Sequence, residues 1–91
     1  MKIDDAVVIN TGSSIDHHSR IMAGATIDPG CVLAGNVTAN KFAQIHTGTV
    51  VINKISIGEN SEIGAGSLLL KDTKPNSLYY GSPARFVGNL E

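Results

Sequence analysis

Ninety-one residues, 42% of them hydrophobic, make one domain near the lower size at which a chain buries a core unaided. A formal net charge of -1 with seven scattered Lys and Arg excludes the clustered basic footprint of a nucleic-acid partner. No apolar run nears the ~18 residues of a membrane span, and the acidic Asp4 and Asp5 close behind Lys2 do not read as a signal peptide, so no membrane partner is expected. Cys31 is the only cysteine; an internal disulfide is excluded and a reducing, cytoplasmic setting is expected. Trp is absent and aromatics are only 4%, so the core must come from aliphatic and small residues.

Such a core points to a repeat. Every sixth residue from Ile3 is apolar: Ile3, Ile9, Ile15, Ile21, Ile27, Leu33, Ala39, Ile45, Val51, Ile57, Ile63 and Leu69. At this composition, twelve in phase would arise by chance in roughly one chain in 10^4 to 10^5. Residues two before these are mostly small, among them Ser19, Ala25, Cys31, Ala43, Thr49 and Ser67, and Gly recurs three after them. A period of six fits a short strand and a tight corner, with Gly supplying positive φ. Three such units close a triangular coil of 18 residues, and residues 1 to about 71 give about four coils. The large aliphatic residue and the small residue two before it both point inward. The prediction is an all-β parallel β-helix over 1–72, a short C-terminal tail over 73–89, and a cloning scar at 90–91.

In chain order, four stretches stand out: "SSIDHHSRI" (13–21), "GCVLAGNVT" (30–38), "SIGENSEIGAGSLLLKD" (56–72) and "NSLYYGSPARFV" (76–87). Together they resemble the C-terminal half of hexapeptide-repeat sugar O- and N-acetyltransferases, the enzymes of sialic acid O-acetylation and bacterial amino-sugar N-acetylation. The resemblance implies a left-handed coil, acetyl-CoA as acyl donor, and a sugar or nucleotide-linked sugar as acceptor. It implies that His17 is the general base for direct acetyl transfer, and an imidazole's ordinary pKa near 6.5 suits that task. The family commonly has an acidic residue after the base; here His18 stands there, and Asp16 is the residue that could orient the ring. Nine residues after the base the family often has a second His; here it is Thr26. An N-terminal sugar-nucleotide domain usually precedes the coil; here Met1 stands almost at the first coil, so a separate sugar-nucleotide-binding chain is a candidate partner.

Residues 18 apart stack in one column. His17 heads the column Gly35, Asn53, Lys71, and its ring should project outward at a corner. Aliphatic side chains expected on the flat faces, Val7, Ile52, Leu68 and Leu70, call for threefold packing, hence a homotrimer with clefts between prisms. Acetyl-CoA lying in such a cleft would touch Gly35, Asn53 and Lys71 from one subunit and Pro29, Thr47 and Ala65 from another, with Thr26 near the acetyl group and Lys71 and Lys74 near the phosphates. His46 stacks over Asp28 and reads as a structural ladder; Cys31 points inward and reads as packing. No metal is expected, because adjacent His17 and His18 diverge. The alternative to an enzyme is a non-catalytic trimeric scaffold, either a remnant or half of a split enzyme.

Overall fold

The computed structural model describes residues 2–90, and these form a parallel β-helix of triangular section with no helical segment. One face is built from β1 (Lys2–Ile3), β4 (Arg20–Ile21), β7 (Thr38–Ala39) and β10 (Ser56–Ile57). A second holds β2 (Val8–Ile9), β5 (Thr26–Ile27), β8 (Gln44–Ile45) and β11 (Glu62–Ile63); a third holds β3 (Ser14–Ile15), β6 (Val32–Leu33), β9 (Val50–Val51) and β12 (Leu68–Leu69). Each strand pairs in parallel with the one 18 residues on, in the register Ile21↔Ala39, Ile27↔Ile45, Leu33↔Val51. Four coils result, and the six-residue phase is kept through Leu69.

The inward columns are the core. Ile21, Ile27, Ile45, Ile57 and Ile63 are fully buried. Each such side chain contributes about 1.5–3 kcal/mol of transfer free energy. Ser19, Ala25, Cys31, Val37, Ala43, Thr49, Ile55, Ser61 and Ser67 fill the space beside them, as the parity of the repeat requires. Their hydroxyls are satisfied across the corners: Ser19 Oγ donates to Ala34 O at 3.2 Å and Thr49 Oγ1 to Gly64 O at 3.1 Å. Among the described residues no buried side-chain polar atom lacks a partner.

Every corner passes through a left-handed residue. Gly occupies five of these positions, but Ala6, His18, Asn36, Phe42, Lys54 and Asn60 hold φ of 59 to 63°. His18 is therefore first of all a corner residue.

The two ends of the prism differ. At the N-terminal end Ile3 and Ile9 point inward yet stay 48% and 37% exposed, since no coil covers them. Val7 belongs to this end too. It is half-buried and packs inward beside the core, contrary to the surface role expected of it, because it lies two before Ile9 and shares its parity. On the third face the outward apolar residues are Val32 and Val50, with Ile52 and Leu70 at the adjoining corner, while Val8 and Phe42 are exposed elsewhere on the coil. At the other end the chain leaves the six-residue phase. Lys74 and Pro75 cross directly over Gly58, where a Cβ would come within 2.5 Å of Lys74 C. The chain then forms an antiparallel hairpin, β13 (Ser77–Gly81) and β14 (Ala84–Asn89), with β13 added to the second face through Tyr79↔Ile63. Of the pair 90–91, Leu90 N–H donates to Asn76 O at 2.7 Å, and Glu91 lies outside the described residues.

Candidate active site

Asp16, His17 and His18 form the corner between the third face and the first. The outward row of the third face reads Ser14, Val32, Val50, Leu68; that of the first reads Lys2, Arg20, Thr38, Ser56. The corner thus divides an apolar face from a polar one. Asp16 Oδ1 accepts from both the His17 backbone N–H and the ring Nδ1, each at 2.7 Å. These bonds hold the Asp16 carboxyl below its usual range, the backbone bond contributing most and the ring bond next. With Nδ1–H committed to the carboxylate, Nε2 carries the free lone pair. The His17 side chain is otherwise 73% exposed. The His18 ring meets that of His17 edge to face at 4.6 Å between centroids.

Above this corner the column continues as read from the 18-residue spacing. Gly35 sits over His17: a Cβ there would meet only His17 O at 3.8 Å and Asp16 Oδ2 at 3.9 Å. Lys54 N–H donates to Gly35 O, Asn53 follows, and exposed Lys71 closes the column. Thr47 and Ala65 stand exposed on the other edge of the apolar face, one face away. Thr26 lies on β5, on the face opposite the His17 corner, because nine residues are half of an 18-residue coil. Within one chain it does not join His17; only a neighbouring subunit could bring a Thr26 there. Lys74 lies past the last coil, at a different edge from Lys71, with its Nζ 5.7 Å from the Phe86 ring centroid.

The hairpin adds residues the spacing could not reveal. A cavity of about 430 Å³ is lined by Leu70, Lys71, Asp72, Tyr79, Arg85 and Phe86, among others. Arg85 sits in the Gly-Ser-Pro-Ala-Arg tail, and the tail was the only available signal for it.

His46 is held on both sides. Its Nδ1 lies 3.1 Å from Asp28 Oδ2, the expected ladder, and its Nε2 lies 2.9 Å from Glu62 Oε1. The Glu62 bond raises its pKa most; partial burial works against that, and the Asp28 bond adds to the rise. A raised folded-state value means the protonated ring stabilises the fold. That contribution is whole below the unfolded value near 6.5 and is lost as pH rises through the folded one. The melting temperature should therefore fall between pH 6 and pH 8.5 by more in the wild type than in His46→Gln. Parallel curves would show that the clamp contributes nothing. Cys31 is fully buried, its Sγ 3.1 Å from His46 O, and desolvation pushes its thiol up, so it serves packing. Among the described residues no group of three or more His, Cys, Asp or Glu is placed to hold a metal ion.

A triangular parallel coil with an oriented histidine on an exposed edge belongs to the hexapeptide-repeat class. No protein-family model matches the chain. By sequence it is similar to a Schizosaccharomyces pombe protein named for serine acetyltransferase, 35% identical over 102 residues, which is 94% of this chain and 38% of that protein. It is 31% identical over 107 residues to the serine acetyltransferase of Bacillus pumilus, covering 96% of this chain and 48% of that one. The chain thus spans less than half the length of these relatives. Because 102 and 107 aligned positions exceed the 91 residues available, each relative carries inserted positions that this chain lacks.

Among solved structures, the serine acetyltransferase of Brucella abortus superposes with a TM-score of 0.93 at 23% identity, over 99% of this chain and 41% of that one. A hexapeptide-repeat acetyltransferase of Vibrio cholerae, solved with acetyl-coenzyme A, gives 0.93 at 20% identity, over 98% and 60%. The perosamine N-acetyltransferase of Caulobacter crescentus, solved with CoA and GDP-perosamine, gives 0.72 at 25% identity, over 97% and 53%. The fold is the left-handed parallel β-helix. In sequence and in fold the chain is similar to hexapeptide-repeat acetyltransferases.

Proposed function

We propose that this chain carries out acetyl transfer from acetyl-CoA to a hydroxyl or amine, with His17 as general base, in clefts between the subunits of a homotrimer. The observation that carries the reading is the Asp16–His17 pair: Nδ1 bound at 2.7 Å, Nε2 free, and the ring outward at an edge. Nε2 removes the acceptor's proton as its oxygen or nitrogen attacks the thioester carbonyl. The carbon–sulfur bond then breaks, and the CoA thiolate leaves and takes up a proton. No covalent enzyme intermediate is needed, and the burial of Cys31 is consistent with that.

Acetyl-CoA is substrate here, and this chain offers it room and charge. At Gly48 and Gly66 a Cβ would meet nothing within 4 Å, and at Gly35 only ordinary contacts, so these edges leave space for a narrow pantetheine arm. Lys71 and Arg85 at the 430 Å³ cavity supply cations for its phosphates. The acceptor reading we favour is a sugar or nucleotide-linked amino sugar. It is supported by the four quoted stretches and by the likeness to the perosamine enzyme. The relatives named serine acetyltransferases support a second acceptor class, a small hydroxy amino acid. A separate chain would then hold the sugar nucleotide in the first case only. A lone buried cysteine fits a cytoplasmic setting.

Titration calorimetry with acetyl-CoA, followed by thiol-release assays on L-serine, free amino sugars and nucleotide-linked amino sugars, tests the reading. Saturable acetyl-CoA binding is expected, weakened about tenfold by Lys71→Ala through loss of one charge-assisted contact. The melting temperature of that variant should not change, since Lys71 is exposed. No binding at millimolar ligand would leave the scaffold as the better account.

A further inference from the structure

The polar face beside His17 carries charge that the acetyl-transfer reading leaves unused. A cavity of about 610 Å³ is lined by Lys2, His18, Ser19, Arg20, Asn36 and Thr38. Its lining holds two cations and no carboxylate, on a chain whose formal net charge is -1. Lys2 and Arg20 are directly paired on adjacent parallel strands, so their outward side chains stand side by side, about 4.8 Å apart at the backbone. Of the two, Lys2 reaches Asp4 only at 4.0 Å, and among the described residues Arg20 makes no ion pair. The nearest carboxylate on the corner, Asp16, is already engaged by His17.

The cavity also reaches the candidate base. His18 is one of its walls, and the His18 ring touches that of His17. Arg20 follows His17 by three residues, so their Cα atoms lie no more than about 11 Å apart. The face on the other side of the corner offers an anion no cation: Ser14, Val32, Val50 and Leu68 make its outward row. Asn36 and Thr38 add polar groups along the cavity's length, and its size is that of an ordinary small-ligand site.

We infer that this cavity is the acceptor subsite and that it selects acceptors carrying an anionic group, held by Arg20 with Lys2 beside it, while the acceptor's nucleophilic atom meets His17. This rests on the acetyl-transfer reading for the nucleophile, but the anion site itself is testable without turnover. The anion could be the diphosphate of a nucleotide-linked sugar or the carboxylate of an amino acid, and the experiment separates these sources. Arg20 acts here as a specificity-determining residue, through its planar pair of donors.

The first arm titrates the full chain, free of acetyl-CoA, with inorganic pyrophosphate and separately with L-serine, following backbone amide shifts. Shifts confined to His18, Ser19, Arg20, Asn36 and Thr38 are expected with at least one probe. Arg20→Ala should weaken that binding about 10- to 100-fold, and Arg20→Lys should restore part of it. The probe that binds names the source of the anion. No binding by either probe, or binding unchanged in Arg20→Ala, overturns the inference. The second arm measures kcat/KM for charged acceptors and for the matching neutral amino sugar. Arg20→Ala should raise KM for the charged acceptor alone, with KM for acetyl-CoA unmoved. Equal loss on the neutral acceptor overturns the inference while leaving acetyl transfer standing. Arg20-dependent anion binding with no turnover on any acceptor keeps the anion site, overturns its role as an acceptor subsite and removes the acetyl-transfer reading. Because Arg20 is exposed, its variants should fold as the wild type does.

Discussion

His17→Ala should lower kcat for acetyl transfer by about 10²–10⁴, the usual loss when a general base is removed. The expectation rests on geometry. The ring is 73% exposed, so its removal leaves no cavity and unsettles no core residue. Acetyl-CoA affinity and assembly should therefore be unchanged, which distinguishes a lost base from a lost fold. Asp16→Asn should cost less than His17→Ala, because the amide can still accept from the backbone N–H but no longer favours one ring tautomer. His46 supplies the control. It lies at a different corner, its two nitrogens face Asp28 and Glu62, and its replacement should change melting temperature with little effect on rate. Thiol-release rates for the variants at equal oligomer content decide the matter. Wild-type turnover in His17→Ala would reduce the histidine pair to two surface corner residues, one of them set by its left-handed backbone.

Much of this chain could be read before its structure, and the reasons are geometric. In an 18-residue coil, side-chain direction depends only on position modulo six and stacking only on position modulo eighteen. Ile21, Ala39 and Ile57 fall in one inward column by counting alone, as do His17, Gly35, Asn53 and Lys71 on one edge. Counting fails where an interaction leaves that lattice. Glu62 reaches His46 at an offset of 16, two short of the column position, which is held by Gly64 with the Tyr80 ring against it. The hairpin was invisible because the chain shortens its last crossing by two residues, so that β13 rejoins the second sheet at an offset of 16 and leaves the six-residue phase. Val7 was misplaced through its parity, and Val32 and Val50 were overlooked because they sit beside inward Leu33 and Val51. Arg20 escaped notice for a different cause. A single basic residue in a scattered set carries no signal until its strand neighbour, Lys2, is known to stand beside it.

If the proposed trimer of three 9.5 kDa chains forms, Val50→Lys should convert it into monomers and abolish the proposed acetyl transfer while sparing His17. Val50 is the outward residue of β9, at the middle of the apolar row Val32, Val50, Leu68, and is 38% exposed in the single chain. Its neighbour Val51 alone points into the core, so the substitution leaves the prism intact. Ile52 and Leu70, 36% and 42% exposed, extend the apolar surface to the His17 edge. A monomer that exposes a continuous apolar face of this kind needs a partner to cover it. Burial of an unpaired ammonium at the centre of that contact would cost more than the contact returns. The face also explains why assembly and activity should fail together. His17 lies at one border of it, and Thr47 and Ala65 at the other, so the two edges meet only when prisms pack around a threefold axis. Gln44→Lys, on the second face and also exposed, is the control for added charge and should stay trimeric. Sedimentation equilibrium at micromolar concentration, with thiol-release rates on the same samples, reads both properties at once. An active wild-type monomer would remove the intersubunit site altogether. An active trimeric Val50→Lys would move the interface to another face and with it the second wall of the cleft.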